Sequence, residues 1–264
     1  MKKLISAILA FSVIGIAAST NAAVITEATA DTYIRSDLSE RSFGSETSMI
    51  FGNTGNASFS HGLLTFSLND PGLIGQTVTS VSLKLTTTGN DLSSSTSYTL
   101  NLFQLSAANS GWVEGTSTAT PNANQSTWQK RNATSTSNAT NTGTAWAGSQ
   151  GASTSGTDFS STLLSSVTGN PQTSASGTVL TFNSSASFIS SIQGAIGGNI
   201  SLWVGNDVAE RDFFRIASRD NPTLAGPTLE ITVVPEPSTL GLVGLALIGF
   251  FLRCRRREDA SRIS

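Results

Sequence analysis

The sequence of 264 residues contains one cysteine and one histidine, and only 12% of its residues are charged. Cys254 lies close to the C-terminus, so the chain before it has no internal disulfide, thiol nucleophile or thiolate metal site. One histidine excludes metal centres built from several histidines. A Ser-His-Asp triad would have to use His61, and no Gly-x-Ser-x-Gly turn is present to support one. We therefore expect His61 to be a strand-edge histidine bonded to a turn.

Long apolar runs are also scarce, and they lie near the two ends. At the N-terminus, Lys2 and Lys3 precede an apolar stretch at residues 4–18, and small residues follow up to Ala23. This order is typical of a signal peptide that signal peptidase cleaves after Ala22 or Ala23. We expect residues 1–23 to be the signal peptide.

The second apolar run lies between a pair of prolines and a group of arginines. Pro235, Glu236 and Pro237 interrupt regular structure, because proline fixes φ and lacks a backbone donor. Residues 240–252 carry no charge, although the run is shorter than the ~20 residues of an ordinary membrane span. The basic stop consists of Arg253, Arg255, Arg256 and Arg257. We predict a short transmembrane segment held in the inner membrane, with residues 258–264 as a cytoplasmic tail.

These three parts, in this order, resemble the PEP-CTERM sorting signal of exported proteins from Gram-negative bacteria that make exopolysaccharide. The family's Pro-Glu-Pro falls on residues 235–237 and its basic stop begins at Arg253. The resemblance implies that an exosortase cuts near the motif, with this protein as its substrate. It further implies a final location in the cell envelope, at the cell surface or in the extracellular matrix.

The segment between the two ends is acidic. Residues 24–234 contain eight lysines and arginines against fourteen aspartates and glutamates, a net charge of minus six. That balance argues against binding nucleic acid or an acidic lipid surface through bulk charge. An anionic polysaccharide would require a local basic patch.

Alternation of apolar and polar residues predicts a fold built from strands. Period-2 patterns and strand-like apolar clusters occur at residues 31–35, 49–51, 63–68, 78–88, 98–102, 179–182, 200–204, 213–217 and 229–234. One stripe of apolar residues near 188–196 favours a short helix. Residues 106–176 are poor in apolar residues, and we expect long surface excursions with short edge strands there. The prediction is one all-β domain over residues 24–234, an antiparallel β-sandwich of jelly-roll type.

Several short segments, taken in order, resemble those of DNRLRE domains. They are residues 31–35, 43–45, 62–66, 112–116 and 127–128, followed by Ser218-Arg219 and residues 227–231. His61 departs from the pattern, near a position where family members often carry arginine. The resemblance implies a secreted β-sandwich module, of a kind that in some proteins binds carbohydrate.

Tryptophans and arginines are the candidates for a glycan site, because indole faces stack on sugar rings and guanidinium groups pair with carboxylates. Trp112, Trp128 and Trp146 lie in the excursions, and Trp146 is the best candidate for an exposed platform. The alternative for Trp112 and Trp128 is that they pin the excursions onto the sandwich. Trp203, between two apolar strand residues, is expected in the core. The candidate cations are Arg35, Arg211, Arg215 and Arg219, the last two alternatively paired with local acids.

The acidic residues give no clear pattern of a catalytic or metal-binding site. Glu114 has no recognisable carboxylate partner and more simply bonds its own loop. Asp207, Glu210 and Asp212 form a weak calcium candidate without a known loop spacing, so we expect no cofactor beyond a possible structural calcium. We expect no catalytic residues and a non-catalytic protein that binds or organises polysaccharide. The alternatives are a structural surface or biofilm matrix protein without glycan affinity and, less favoured, a polysaccharide-active enzyme.

Overall fold

A computed structural model describes residues 21–55, 58–89, 97–120, 123–134, 142–206 and 211–235. Within these ranges there are twelve strands and one α-helix, so the all-β prediction is confirmed. The strands are β1 (Ala22–Arg35), β2 (Ser48–Asn53), β3 (Phe59–Ser67), β4 (Gln76–Thr86), β5 (Tyr98–Gln104), β6 (Lys130–Ala133), β7 (Gly143–Ala145), β8 (Ser165–Gly169), β9 (Val179–Phe182), β10 (Asn199–Gly205), β11 (Phe213–Ala217) and β12 (Thr228–Pro235). The helix α1 spans Ala186–Ala195, and a 3-10 turn spans Gln150–Ala152.

Ten of these strands form one nearly closed antiparallel sheet. The main path runs β8-β5-β10-β3-β1-β12-β4-β9, and the pair β2-β11 joins it through β3. The short strands β6 and β7 form a separate hairpin. The sheet is therefore more continuous than the sandwich that the sequence predicted, and the jelly-roll connectivity stays a prediction.

Strand β1 holds the two halves of the sheet together because it changes partner along its length. Residues 22–27 pair with β12, and residues 28–35 pair with β3. The pairing with β3 contains a register shift between Ala28 and Ala30. The strand that the sequence predicted at residues 31–35 is only the second half of β1. A bulge of this kind bends the strand and increases its twist, which turns one half of the sheet over the other.

The main hydrophobic core lies between the two halves. It is formed by inward-facing strand residues together with Phe188 and Ile192 of α1. The helix begins at Ser185, whose side-chain oxygen accepts a hydrogen bond from the backbone N–H of Phe188 at 3.0 Å. The short helix predicted from the apolar stripe is thus confirmed, and it packs into the core.

A second apolar cluster covers the outer face of the β1-β3-β10-β5 half. Its buried members are Ile34, Leu63, Leu105, Trp112, Trp146, Ala152, Phe159 and Trp203, with Trp128 packed against them. Strands supply some of these side chains, and the excursion at residues 106–160 supplies the rest. Sheet residues in this half are buried on both faces, so the excursion is a covering layer and does not project into solvent.

This cluster buries three of the four tryptophans and holds the fourth, Trp128, partly buried against them. Trp203 is in the core as expected, and Trp112 pins the excursion to the sheet. The expectation that Trp146 is exposed is wrong, since its exposed fraction is 4%. Its indole N–H reaches the carbonyl oxygens of Thr127 and Trp128, each at 3.1 Å, which satisfies the donor of a buried ring.

No helix among the described residues is long and apolar enough to cross a membrane. Residues 1–20 of the predicted signal peptide lie outside the described residues. The predicted transmembrane segment, the basic stop and the predicted tail at 258–264 lie outside them as well.

Burial of Trp146 gives a testable expectation for stability. Replacing Trp146 with Ala removes a large buried ring and should lower the free energy of unfolding by roughly 3–5 kcal/mol. Urea denaturation followed by circular dichroism measures the change, and Trp146→Phe, which keeps a ring, should lose less. A Trp146→Ala protein as stable as the wild type would contradict the packing described here.

Candidate functional site

An arginine-lined cavity of about 340 Å³ lies beside the β2-β11 pair. Its lining consists of Arg35, Asp37, Ile50, Thr54, Gly55, Ser58, Arg211, Phe213 and Arg215. The volume is at the small end of the ~300–1,000 Å³ range of small-molecule sites. We refer to it as the arginine cavity.

Hydrogen bonds within the turn at residues 53–58 hold one wall of the arginine cavity in place. After β2, the side-chain oxygen of Asn53 accepts the N–H of Gly55 at 2.8 Å, and Thr54 N donates to Ser58 O at 3.0 Å. Gly55 has φ of +114°, a conformation that favours glycine. A Cβ on Gly55 would lie 3.3 Å from Cδ of Arg211, so the absent side chain lets the arginine stem pack on the turn.

Arg215 reaches the arginine cavity from the pairing of β11 with β2, where it lies opposite Ile50. Its guanidinium carbon is 5.8 Å from the ring centroid of Phe213, within the range of a cation–π contact. Both Arg211 and Arg215 are exposed residues, whereas Phe213 is buried. The aromatic ring thus supports a cation and does not offer its face to a ligand.

Arg35 is held by a bidentate ion pair with Asp37. Its Nε lies 3.0 Å from Oδ1 and its Nη2 lies 2.6 Å from Oδ2 of that aspartate, and Nη2 also contacts Oγ1 of Thr54 at 3.4 Å. Three arginines against one aspartate give the described lining a net charge of plus two. A positive cavity in an acidic domain favours an anionic ligand.

The structure thus brings together three of the four candidate cations and separates the fourth. Arg219 lies elsewhere, and none of the tryptophans lines the arginine cavity. Sequence reasoning missed Asp37, Thr54 and Phe213 as lining residues. The turn at residues 53–58 was the available signal, because Asn-Thr-Gly-Asn favours a tight turn between two strands.

A second polar cluster consists of Asp31, Glu114 and Arg219. Oε1 of Glu114 accepts the backbone N–H of Asp31 at 2.9 Å and the Nε–H of Arg219 at 2.9 Å. The backbone N–H of Arg219 donates to Oδ2 of Asp31 at 2.7 Å, and its Nη1 donates to the carbonyl of Thr29 at 3.0 Å. Arg219 therefore pairs across the fold with Glu114, a residue distant in sequence, and not with a local acid as the alternative held.

Two carboxyl groups in this cluster hold protons more tightly than usual. Burial raises the pKa of Asp31 from its ordinary 3.8 to about 7, with the Glu114 carboxylate adding to the effect, and the Arg219 N–H opposes it. Burial also raises the pKa of Glu114, against the hydrogen bond from Asp31 and the charge of Arg219. Asp31 has an exposed fraction of 1%, and its Oδ1 has no hydrogen-bond partner among the described residues.

The cluster joins several of the segments on which the DNRLRE resemblance was based, and that resemblance stays a prediction. Asp31, Glu114 and Arg219 come from three of those segments, and Gly44 comes from a fourth. A Cβ on Gly44 would lie 2.0 Å from the carbonyl oxygen of Glu114, so the two backbones touch there. Glu114 has a structural role, but its carboxylate bonds Asp31 and Arg219, which are distant in sequence, in place of the loop that the sequence predicted.

His61 is buried on strand β3 and bonded to a turn, as expected, but the strand is central and not at an edge. Its Nδ1 lies 2.7 Å from the carbonyl oxygen of Gly151, and its ring centroid lies 4.9 Å from that of Trp128 and 4.6 Å from that of Trp203. These contacts give His61 a packing role between the sheet and its covering layer.

Of the three candidate calcium ligands, the structure describes Asp212. Asp212 is buried and its carbonyl accepts the N–H of Asn53 at 2.8 Å, while Asp207 and Glu210 lie outside the described residues. In the described ranges, no group of three or more His, Cys, Asp or Glu side chains is arranged to hold a metal ion. The calcium site stays a prediction.

Comparison with known proteins identifies the C-terminal segment. A family model for the PEP-CTERM protein-sorting motif matches residues 233–257. No curated protein matches the chain. The motif indicates an exported protein that exosortase processes and that is directed to the cell envelope, as the sequence predicted.

The raised pKa of Asp31 makes stability depend on pH. The folded state binds the proton more tightly than the unfolded chain, so this stabilisation is complete below about pH 3.8 and is lost as pH rises to about 7. Asp31→Asn carries no titrating proton there, and its free energy of unfolding should fall less steeply over that interval. Urea denaturation at several pH values provides the slope.

Asp70→Asn, on an exposed turn, is the matched control for Asp31→Asn, because it makes the same chemical change at an exposed position. A wild-type slope in Asp31→Asn would show that Asp31 does not hold the proton.

Proposed function

We propose that the exported domain binds an anionic polysaccharide without cleaving it, and that the arginine cavity holds the carboxylate groups of the polymer. The observation that carries the proposal is the convergence of Arg35, Arg211 and Arg215 on one cavity. Arg35 is distant in sequence from Arg211 and Arg215, which lie four residues apart, and the fold brings all three to one place.

Charge supports an anionic ligand over a neutral one. Residues 24–234 carry a net charge of minus six, whereas the described lining of the arginine cavity carries plus two. Guanidinium groups suit the planar carboxylate of a uronic acid, because they donate two parallel hydrogen bonds to its two oxygens. The Arg35–Asp37 pair already shows this geometry within the cavity.

The tryptophans do not support a stacking platform. Trp112, Trp146 and Trp203 are buried in the second apolar cluster, with Trp128 packed against it. Recognition through the arginine cavity is consequently electrostatic, and binding should weaken steeply as salt screens the charges.

The lining also favours binding over catalysis. Glycoside hydrolysis needs two carboxyl groups on either side of the scissile bond. Among the described lining residues Asp37 is the single carboxylate, and it is paired with Arg35. Asp31 and Glu114 are two carboxyl groups with raised pKa values, but their hydrogen bonds go to backbone and to Arg219, which is a structural arrangement.

The proposal predicts that loss of cavity arginines weakens binding to a polyuronate. A protein spanning residues 24–235 should bind alginate at low salt, and Arg211→Gln with Arg215→Gln should weaken that binding by about ten- to hundredfold, since a hydrogen bond to a charged group is worth roughly 1.5–3 kcal/mol. Affinity electrophoresis or biolayer interferometry at two salt concentrations measures the loss.

The matched control for this experiment is Lys84→Gln. It removes a positive charge from β4, where Lys84 pairs with Glu230 away from the arginine cavity, and should leave alginate binding unchanged. Equal losses in both variants would indicate bulk charge and not a site. No binding by the wild type to alginate or other uronates would leave the structural matrix protein as the better account.

A further inference from the structure

The sorting motif begins inside the folded domain. The family match starts at residue 233, yet β12 continues to Pro235, which lies opposite Gln76 of β4 in the ladder. Val233 is buried in the main core. The domain and the motif therefore overlap by three residues, with no linker between them.

The distance from the end of β12 to the membrane is consequently short. Four residues, 236–239, separate Pro235 from the uncharged run that begins at Leu240. Fully extended, the five Cα–Cα steps from Pro235 to Leu240 span at most about 18 Å. The headgroup region on each side of a bilayer is itself roughly 5–8 Å thick. While the tail is in the membrane, the end of the domain at Pro235 must therefore lie within about 13 Å of the lipid surface.

The N-terminal strand starts at the same end of the domain. Ala22 of β1 is the ladder partner of Val233 of β12. The predicted signal peptide ends at this point, so both apolar segments leave the domain from adjacent strands.

A turn with an exposed apolar side chain lies at this end. Residues 70–75, which we call the tip turn, connect β3 to β4 immediately before Gln76. Leu73 is buried in the core and anchors the turn, while Ile74 has an exposed fraction of 55%. A Cβ on Gly72 would lie 3.3 Å from Cγ2 of Val24, which places the turn against the start of β1.

We propose that the tip turn rests on the lipid surface of the inner membrane until exosortase cuts the chain, with Ile74 inserted among the headgroups. The short connection brings this end to the bilayer, and the exposed isoleucine gives it an apolar contact there. Cutting at the motif then releases a domain whose membrane-facing end is free.

A fluorescent label at position 74 tests this orientation in the full-length chain. Cys254→Ser removes the native thiol, Ile74→Cys accepts an environment-sensitive dye, and the protein is reconstituted in vesicles of phosphatidylethanolamine and phosphatidylglycerol. Lipids with a spin-labelled headgroup should quench this dye several-fold more than a dye at the control position, and its emission should be shifted to the blue.

The matched control is Val179→Cys, because Val179 is exposed to a similar extent, 50%, but lies opposite Thr86 at the other end of β4. That strand places it roughly 33 Å from Gln76. Equal quenching at the two positions would overturn the proposal. A blue-shifted dye at position 74 that the lipid quenchers do not affect would show a protein partner on the tip turn, and would overturn it as well.

Discussion

The fold depends on strand β1 changing its partner. Beyond Ala28 the strand leaves β12, and the backbone groups that pointed toward β12 need new partners, because a buried N–H or C=O without a hydrogen bond is costly. Glu114 accepts the N–H of Asp31, and Arg219 donates to the carbonyl of Thr29. Side chains thus replace a missing strand at the place where the sheet divides, and Asp31 is buried with a raised pKa as a consequence of filling that gap.

The same division explains why the excursion at residues 106–160 is part of the fold. Strands β1, β3, β10 and β5 carry large apolar side chains on both faces, as in Leu63 and Leu64 of β3. One face meets the main core, and the other requires a cover. The excursion supplies Trp112, Trp146 and Phe159 for this purpose. One buried carboxylate of the excursion is satisfied locally, since Asp158 accepts hydrogen bonds from Asn109, Gly148, Ser149 and Thr154.

Most strands could be predicted from period-2 alternation, because each presents at least one buried face to the main core. The burial of Trp146 could not, since residues 143–153 are small and polar and give no periodic signal. A clue did exist in Leu202-Trp203-Val204, a continuous apolar run that indicates a strand buried on both faces and hence a covering layer. The arginine cavity was beyond prediction as a site, because Arg35 and Arg215 meet only through the pairing of β2 with β11 and β3. The candidate cations themselves were identifiable by residue type.

Pairing of β1 with β12 joins residues at opposite ends of the domain, with Ala22 opposite Val233. Contacts so distant in sequence form late. The chain must first lose the conformational entropy of closing a loop of more than two hundred residues, and the hydrogen bonds of the pairing offset that loss only afterwards. The sheet cannot be completed until residues 228–235 have crossed the membrane. A chain exported from its N-terminus thus remains incompletely folded throughout translocation, and the last strand arrives together with the sorting motif that overlaps it. Completion of the fold and delivery of the motif to its protease are one event in time.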